Sequence, residues 1–170
     1  MKWRLRQASA ADADALSLIA SATFLTTYAT ILDGADLVSH CVSHNQPERM
    51  AAWAKAGGAV LAELAGGHAP VGYTVLTEPD LPITPHLGDI ELRRIYALPM
   101  MHGLGLGRAM IARALEDAAA DGKHRMLLGV YGKNYRAHAF YEGQGFEVVG
   151  TRQFVVGNTT HDDFVYGRAI

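Results

Sequence analysis

Hydrophobic and polar residues follow two different periods along this chain, and the period indicates which segments form strands and which form helices. Short apolar runs bounded by turn residues are typical of strands, whereas apolar residues three or four positions apart are typical of helices. The segments predicted as strands are Trp3–Arg6, Ala59–Leu64, Val71–Thr77, Asp89–Leu98, Arg125–Tyr131, Gly145–Val156 and His161–Arg168. The segments predicted as helices are an alanine-rich stretch that follows Ser9 and ends at Ile19, then Ala35–Val42, Glu48–Ala56, Gly105–Ala120 and Asn134–Glu142.

Glycine and proline mark the turns between these segments. Gly66-Gly67-His68 is predicted to close one hairpin, and Gly157-Asn158 is predicted to close another. Glu78–Leu87 contains three prolines and is predicted to be a loop. The order of elements predicts a single α/β domain over residues 1–170, with a mixed sheet of about seven strands and helices on both faces.

Composition narrows the class of protein. Of the 170 residues, 49% are hydrophobic and 19% are charged, which is enough apolar material for a core. The formal net charge of −2 argues against a nucleic-acid binder, and no apolar run reaches the ~18 residues that a membrane-spanning helix needs. Cys41 is the single cysteine, and no apolar segment typical of a signal peptide follows the N-terminal basic residues. We therefore expect a cytoplasmic protein that binds neither nucleic acid nor membranes.

A glycine-rich turn between a strand and a helix is the first candidate binding site. After the strand that ends at Leu98, Gly103, Gly105 and Gly107 alternate with leucines. Glycine lets backbone N–H groups approach a ligand closely, and a helix start adds a partial positive charge of about +0.5. The turn therefore suits a phosphate or pyrophosphate, with Arg108 as an additional cation. A tight turn without a ligand is the alternative, and the spacing matches neither a P-loop nor a Rossmann fingerprint.

The segment Asn134–Gly145 is the second candidate site. Asn134 and Tyr141 are seven residues apart, which is nearly two helical turns, so they should share one face of a helix. The small Ala137 between them would leave a trough for a slender ligand. A helix-capping asparagine and a tyrosine at the edge of the core are the alternative interpretation.

Taken together and in this order, the two segments resemble the GNAT superfamily of N-acetyltransferases. That family has a strand, a [Q/R]-x-x-G-x-[G/A] loop that opens a helix, another strand, an Asn-x-x-Ala helix and a Phe-Tyr-x-x-x-Gly-Phe ending. The corresponding segments here are Glu91–Leu98, His102–Gly107, Met126–Tyr131, Asn134–Ala137 and Phe140–Phe146. The resemblance implies a GNAT-like, mostly antiparallel sheet and acetyl-CoA as cosubstrate. One departure is His102, which stands where the family has Gln or Arg, although a neutral histidine can still donate one hydrogen bond.

Shorter stretches are similar, more narrowly, to bacterial spermidine/spermine acetyltransferases of this superfamily. These stretches are Thr23–Tyr28, Glu91–Tyr96, Leu128–Asn134 and Phe154–Phe164. The similarity implies a small-molecule amine, and in particular a polyamine, as the acetyl acceptor. Such a pocket needs carboxylates, and the candidates are Asp33, Asp36, Glu78, Asp80 and Asp89, each of which is otherwise a solvated surface charge.

The GNAT resemblance implies a role for each matching residue. Tyr141 is the predicted general acid for the departing thiolate, because a phenol with a pKa of about 10 is protonated at neutral pH. Glu91 is the candidate general base, with a salt bridge to Arg93 or Arg125 as the alternative. Pro99 should break the sheet pairing and leave backbone groups of the preceding residues free for the thioester. The residues predicted to bind acetyl-CoA are Tyr96, Ala97, Leu98, His102, Gly103, Leu104, Gly105, Leu106, Gly107, Arg108, Asn134 and Ala137.

The sequence also fits two other functions, and it bears on oligomeric state and metal binding. The acceptor could be a protein N-terminus or a lysine side chain, or the chain could bind acetyl-CoA without catalysis. A homodimer is plausible because the last hairpin would leave a sheet edge that can pair with a second subunit. His40 and His44 are four residues apart, but without a third ligand nearby no metal is expected.

Overall fold

A computed structural model describes residues 1–156 and 159–170, so the turn predicted at Gly157-Asn158 lies outside the described residues. Within them the chain forms seven strands and five α-helices. The strands are β1 (Trp3–Gln7), β2 (Ala59–Leu64), β3 (Pro70–Thr77), β4 (Asp89–Ala97), β5 (Arg125–Tyr131), β6 (Glu147–Val156) and β7 (Thr159–Ala169). The helices are α1 (Ala13–Tyr28), α2 (Gly34–His44), α3 (Pro47–Lys55), α4 (Leu106–Ala120) and α5 (Tyr135–Glu142).

The seven strands form a mixed sheet in the order β1-β2-β3-β4-β5-β7-β6. The pairs β1–β2, β2–β3, β5–β7 and β6–β7 are antiparallel, and β4 pairs with β5 in parallel. The predicted mixed and mostly antiparallel α/β fold is therefore confirmed. Backbone contacts divide the chain into two compact units, a first unit of Met1–Leu76 with Arg94–Met110 and a second unit of Thr77–Arg93 with Ile111–Ile170.

The first unit has two apolar clusters, which hold its helices in place. In one cluster Leu16 and Ile19 of α1 pack with Met50 of α3 and with Leu61 and Tyr73 of the sheet. The other cluster joins Ala62 and Val71 of the sheet to three buried residues that bracket the start of α4, which are Met101, Leu106 and Met110. Burial of this apolar area supplies the main driving force for folding of the unit.

Helix α1 is longer than its sequence pattern indicates. We predicted an end at Ile19, and this was wrong, because the helix continues to Tyr28. The threonines of the extension explain the difference. Thr23 and Thr27 donate their hydroxyl protons to the carbonyls of Ile19 and Thr23, each at 2.7 Å, so side chains that often end a helix find partners within it.

The second unit is built around β5, whose central residues are buried. Leu127 of β5 packs with Val165 of β7, Leu81 of the proline-rich loop and the half-buried Ile83. Phe146 and Tyr166 are also fully buried, and Tyr141 of α5 lies 5.9 Å from Phe146 between ring centroids. An aromatic cluster thus fixes α5 on the second unit.

Candidate active site

The glycine loop, which we define as His102–Gly107, connects a short 3-10 turn at Pro99–Met101 to helix α4. Gly103 and Gly105 have φ angles of 77° and 79°, in the left-handed region that favours glycine. A Cβ added to either residue would meet no atom within 4 Å, so the space above the loop is open. The glycines are therefore required by backbone conformation and not by crowding.

Apolar residues on both sides hold the loop against the first unit. Met101 and Leu106 are fully buried, whereas His102, Gly103, Leu104 and Gly105 are exposed. The indole N–H of Trp3 donates to the Leu104 carbonyl at 3.3 Å. The loop is thus fixed at its ends and at one carbonyl while most of its backbone faces solvent.

The start of α4 offers backbone donors to a ligand. The first four N–H groups of an α-helix have no partner within the helix, and Ala109 is the first residue here whose N–H donates to the preceding turn, at 3.1 Å from the Gly105 carbonyl. The helix dipole adds partial positive charge, and the exposed Arg108 adds a full charge. This combination suits an anionic phosphate group.

The end of β4 carries three of the residues predicted to bind the thioester. A Cβ at Gly72 of β3 would lie 2.8 Å from the Tyr96 carbonyl, so glycine allows the two strands to approach closely there. We predicted that Pro99 leaves the backbone groups of the preceding residues free, and this was partly wrong. The Leu98 N–H donates to the Val71 carbonyl at 2.9 Å, because β3 extends alongside Leu98.

In the second unit, Asn134 caps helix α5. Its Oδ1 accepts a hydrogen bond from the Ala137 N–H at 3.2 Å, and its carbonyl accepts one from the His138 N–H. Asn134 and Ala137 are half-buried and Tyr141 is buried, so the three predicted residues share the less exposed side of the helix. The capping interpretation of Asn134 is thus correct. The cap uses the side-chain oxygen and does not involve the side-chain NH2 group.

We define the α5 cluster as His138, Tyr141, Glu142 and Tyr166. The Tyr166 hydroxyl lies 2.9 Å from His138 Nδ1 and 3.1 Å from Glu142 Oε1, and His138 Nε2 lies 3.1 Å from the Gly132 carbonyl. Burial, and next the bond to Glu142, raise the pKa of Tyr166. The ring of Tyr141 packs 6.2 Å from that of Tyr166. The cluster fixes the Tyr141 ring through packing and hydrogen-bonded neighbours.

Glu91, the candidate base, lies in the second unit and is buried on β4. Its Oε2 accepts from the Asp80 N–H at 2.8 Å and from Arg93 Nη2 at 3.3 Å. The salt bridge to Arg93 that we considered as the alternative is therefore present, whereas Arg125 binds Asp89. Glu91 thus has a structural function, because its carboxylate binds the backbone of the proline-rich loop.

Most of the carboxylates considered for a polyamine pocket already have partners. Asp33 caps α2 through the Ala35 N–H, and Glu78 forms an ion pair with Lys123. Asp80 lies 3.4 Å from Arg93. Asp89 is buried and binds Arg125 through both oxygens, which lowers its pKa. Asp36 is exposed.

Two charged groups of the first unit, one buried and one half-buried, were missed by the sequence analysis. Glu63 of β2 is buried, and Arg4, Arg6 and His68 all bind its carboxylate. Burial raises its pKa, but Arg4 and Arg6 outweigh that effect and lower it. The second group, Arg94 of β4, is described below. An alternation pattern marks both positions only as strand residues, so it contains no signal for their partners.

The described residues contain no group of three or more His, Cys, Asp or Glu side chains that could hold a metal ion. The rings of His40 and His44 stack at 4.4 Å between centroids. None of the helices in the described part of the chain is long and apolar enough to cross a membrane.

The sequence of the chain matches the model of the acetyltransferase (GNAT) family over residues 27–146. The chain belongs to this family. It is 39% identical over 100 residues to an uncharacterised N-acetyltransferase of Mycobacterium tuberculosis, a match that covers 59% of this chain and 60% of that protein. It is 45% identical over 64 residues to the mycothiol acetyltransferase of Beutenbergia cavernae, covering 36% of this chain and 22% of that one. The chain thus spans about 60% of the length of its mycobacterial relatives.

Solved structures share the fold. The PaiA N-acetyltransferase of Thermoplasma acidophilum in complex with coenzyme A has a TM-score of 0.80 and 20% identity, with all of both chains covered. The putative acetyltransferase YncA of Salmonella typhimurium with acetyl-CoA has a TM-score of 0.72 and 20% identity, covering 99% of this chain and 94% of that one. At this identity the likeness shows the fold alone.

Proposed function

We propose that this protein is an N-acetyltransferase that transfers the acetyl group of acetyl-CoA to the primary amine of a small molecule, as a single domain over residues 1–170. The observation that carries the proposal is the glycine loop, which opens helix α4 with two left-handed glycines and exposed backbone. Membership of the GNAT family and the names of the relatives, which are N-acetyltransferases, support the same reaction.

The residues of the loop fit the pyrophosphate of acetyl-CoA. The added-Cβ positions of Gly103 and Gly105 are open, which leaves room for phosphate oxygens beside the backbone. We assign the phosphate groups to His102, Gly103, Leu104, Gly105, Leu106, Gly107 and Arg108. We assign the pantetheine and the thioester to Tyr96, Ala97 and Leu98 and to Asn134 and Ala137. The Leu98 contact uses its carbonyl, because its N–H already has an acceptor.

Bound acetyl-CoA supplies an electrophilic thioester carbonyl and a thiolate leaving group. Tyr141 is the proposed general acid, because a buried phenol held by aromatic packing can donate one proton from a fixed position. Glu91 is the proposed general base, directly or through water, for the protonated amine. Its Oε2 already accepts two hydrogen bonds, so the proton would be taken by Oε1.

The narrower polyamine prediction gains no support from the relatives reported above, and the carboxylates that it requires mostly bind other groups. A protein N-terminus or a lysine side chain is the second candidate, because the family acts on peptide acceptors as well as small molecules. A homodimer and a cytoplasmic location remain expectations.

A thiol-release assay with acetyl-CoA tests the function. The panel contains polyamines, amino acids, aminoglycosides and N-terminal peptides, and thermal unfolding with and without coenzyme A reports binding separately. We expect coenzyme A to raise the melting temperature and at least one small amine to release thiol. Release confined to peptides would establish the second candidate. A clear thermal shift with no release from any amine would indicate a non-catalytic binding protein.

A further inference from the structure

Arg94 of β4 is a half-buried cation with no carboxylate partner among the described residues. Its Nε is covered by neighbouring atoms and has no hydrogen-bond partner in the described part of the chain, while the rest of the side chain keeps some exposure. No carboxylate of the described residues lies within ion-pair distance of it, although the other arginines of β1, β4 and β5 all have one. A guanidinium remains charged at any physiological pH, so it can bind an anion at this position.

Phenols are the groups that act electrostatically on Arg94 in the first unit. Burial lowers the pKa of the guanidinium, but Tyr73, Tyr96 and Tyr28 outweigh that effect and raise it. Tyr73 is buried and its ring stacks 6.0 Å from that of Tyr96. Neutral phenols can orient a guanidinium and stack against it, but they do not neutralise its charge.

His40 provides no compensation either. Its ring is buried and stacks 4.0 Å from Phe24, and its Nε2 has no hydrogen-bond partner in the described residues. Burial, followed by the charges of His44, Arg94 and Arg49, lowers the pKa of His40 to about 4. The neighbourhood therefore holds a fixed positive charge, a neutral histidine and three phenols. An ammonium group would be repelled there, and an anion would be attracted.

We propose that Arg94 binds the carboxylate of the acetyl acceptor, so that the acceptor is an amine that also carries a carboxylate, as amino acids do. A carboxylate matches the planar fork of a guanidinium and can accept hydrogen bonds from it in pairs. The phenol of Tyr96, which lies two residues further along β4 and so on the same side of the strand, can donate to the same carboxylate.

The position of Arg94 on its strand fits an acceptor subsite. Arg94 precedes Tyr96 by two residues on β4, which corresponds to about 7 Å along a strand. The inference rests on the proposed function, in which Tyr96–Leu98 binds the thioester. An acceptor whose carboxylate binds Arg94 would then hold its amine a few ångströms away, within reach of the thioester carbonyl. The carboxylate and the amine of a small amino acid are separated by such a distance.

The experiment compares matched acceptors. Thiol release is measured for each L-amino acid, for its carboxamide and for the corresponding amine without a carboxyl group. The wild type is compared with Arg94→Gln, Arg94→Lys and the control Arg113→Gln, which removes an arginine paired with Asp117 on the surface of α4. We expect the wild type to favour an amino acid over its carboxamide by about tenfold or more in kcat/KM, which is the range of a charge-assisted hydrogen bond. Arg94→Gln should abolish this preference, mainly through KM, and Arg113→Gln should retain it.

A second measurement does not require turnover or a folded variant. The wild type is heated with N-acetyl amino acids or with their carboxamides, and we expect only the carboxylates to raise the melting temperature. Equal effects of the two series, or a preference for amino acids that survives in Arg94→Gln, would overturn the proposal. Thiol release from amines without a carboxylate, unchanged in Arg94→Gln, would overturn it while leaving the acetyltransferase function intact. Absence of both thiol release and coenzyme A binding would refute the function, and the thermal measurement would then report carboxylate binding alone.

Discussion

The glycine loop of the first unit and the α5 cluster of the second unit offer functional groups in opposite ways. The loop presents backbone N–H groups on an exposed surface, and its residues other than the buried Leu106 are glycines or have exposed side chains. The α5 cluster presents side chains whose positions depend on buried rings and on hydrogen bonds at 2.9–3.1 Å. Binding through the loop should therefore depend on backbone conformation, and chemistry at α5 on single side-chain atoms.

The largest expected effect is at α5. Tyr141→Phe removes one hydroxyl and keeps the ring that packs on Phe146 and Tyr166. Because loss of a general acid typically costs a factor of about 100 or more, we expect kcat to fall by that amount, with the affinity for acetyl-CoA nearly unchanged. Steady-state kinetics and calorimetric titration measure the two quantities. An unchanged kcat would remove Tyr141 from the mechanism.

The next effect is at the loop. Gly105→Val forces a β-branched residue into a φ of 79°, at a strain of about 1–2 kcal/mol, and places methyl groups in the open space above the backbone. We expect the dissociation constant of acetyl-CoA to rise by about tenfold or more. Gly67→Val, in the turn between β2 and β3, is the matched control, with a φ of 83°, equally open space and no proposed ligand. Equal affinities of the two variants would contradict binding at the loop.

A smaller effect concerns the cap of α5. Asn134→Ala removes the acceptor for the Ala137 N–H, so we expect a loss of about 1 kcal/mol in the free energy of unfolding. Asn134→Asp keeps the acceptor and should recover most of that stability. If Asn134 also binds pantetheine through its amide group, acetyl-CoA affinity should fall in both variants. Full affinity in Asn134→Asp would limit this residue to capping.

The smallest expected effect is at His102. Because backbone groups do most of the binding at the loop, His102→Ala should change the acetyl-CoA dissociation constant by no more than about threefold, the range of a single exposed hydrogen bond. His102→Gln restores the residue type usual in the family and should bind at least as well as the wild type. A large loss in His102→Ala would show that a side chain, and not the backbone, dominates binding at this loop.

Much of the fold was predictable because local sequence determines it. The pattern of β5 gave its bounds without error, since a buried run between Lys123-His124 and Gly132 leaves little freedom, and the hairpin β2–β3 followed from its glycines. The end of α1 was not predictable in this way, because the continued helix depends on tertiary burial of Thr23 and Phe24 as well as on the hydroxyl bonds of its threonines.

For the candidate site, the spacing of glycines and of Asn134 and Tyr141 was sufficient to find both regions. The hydrogen bond from the Leu98 N–H to the Val71 carbonyl could not be inferred, because it depends on how far a neighbouring strand extends. Arg94 could not be recognised either. Its neighbours Tyr28 and Tyr73 are distant in sequence, and the property that matters is the lack of an acidic partner in three dimensions.

The hydrogen bond from Trp3 to Leu104 has a spectroscopic consequence. The chain contains two tryptophans, and the second, Trp53, belongs to the apolar cluster around α1 and α3. In a Trp53→Phe variant the indole bonded to the glycine loop becomes the sole tryptophan, and excitation at a wavelength that tyrosine does not absorb isolates its emission. A change in the polarity around that loop should then shift its fluorescence maximum, so titration with coenzyme A can be followed optically without any attached dye.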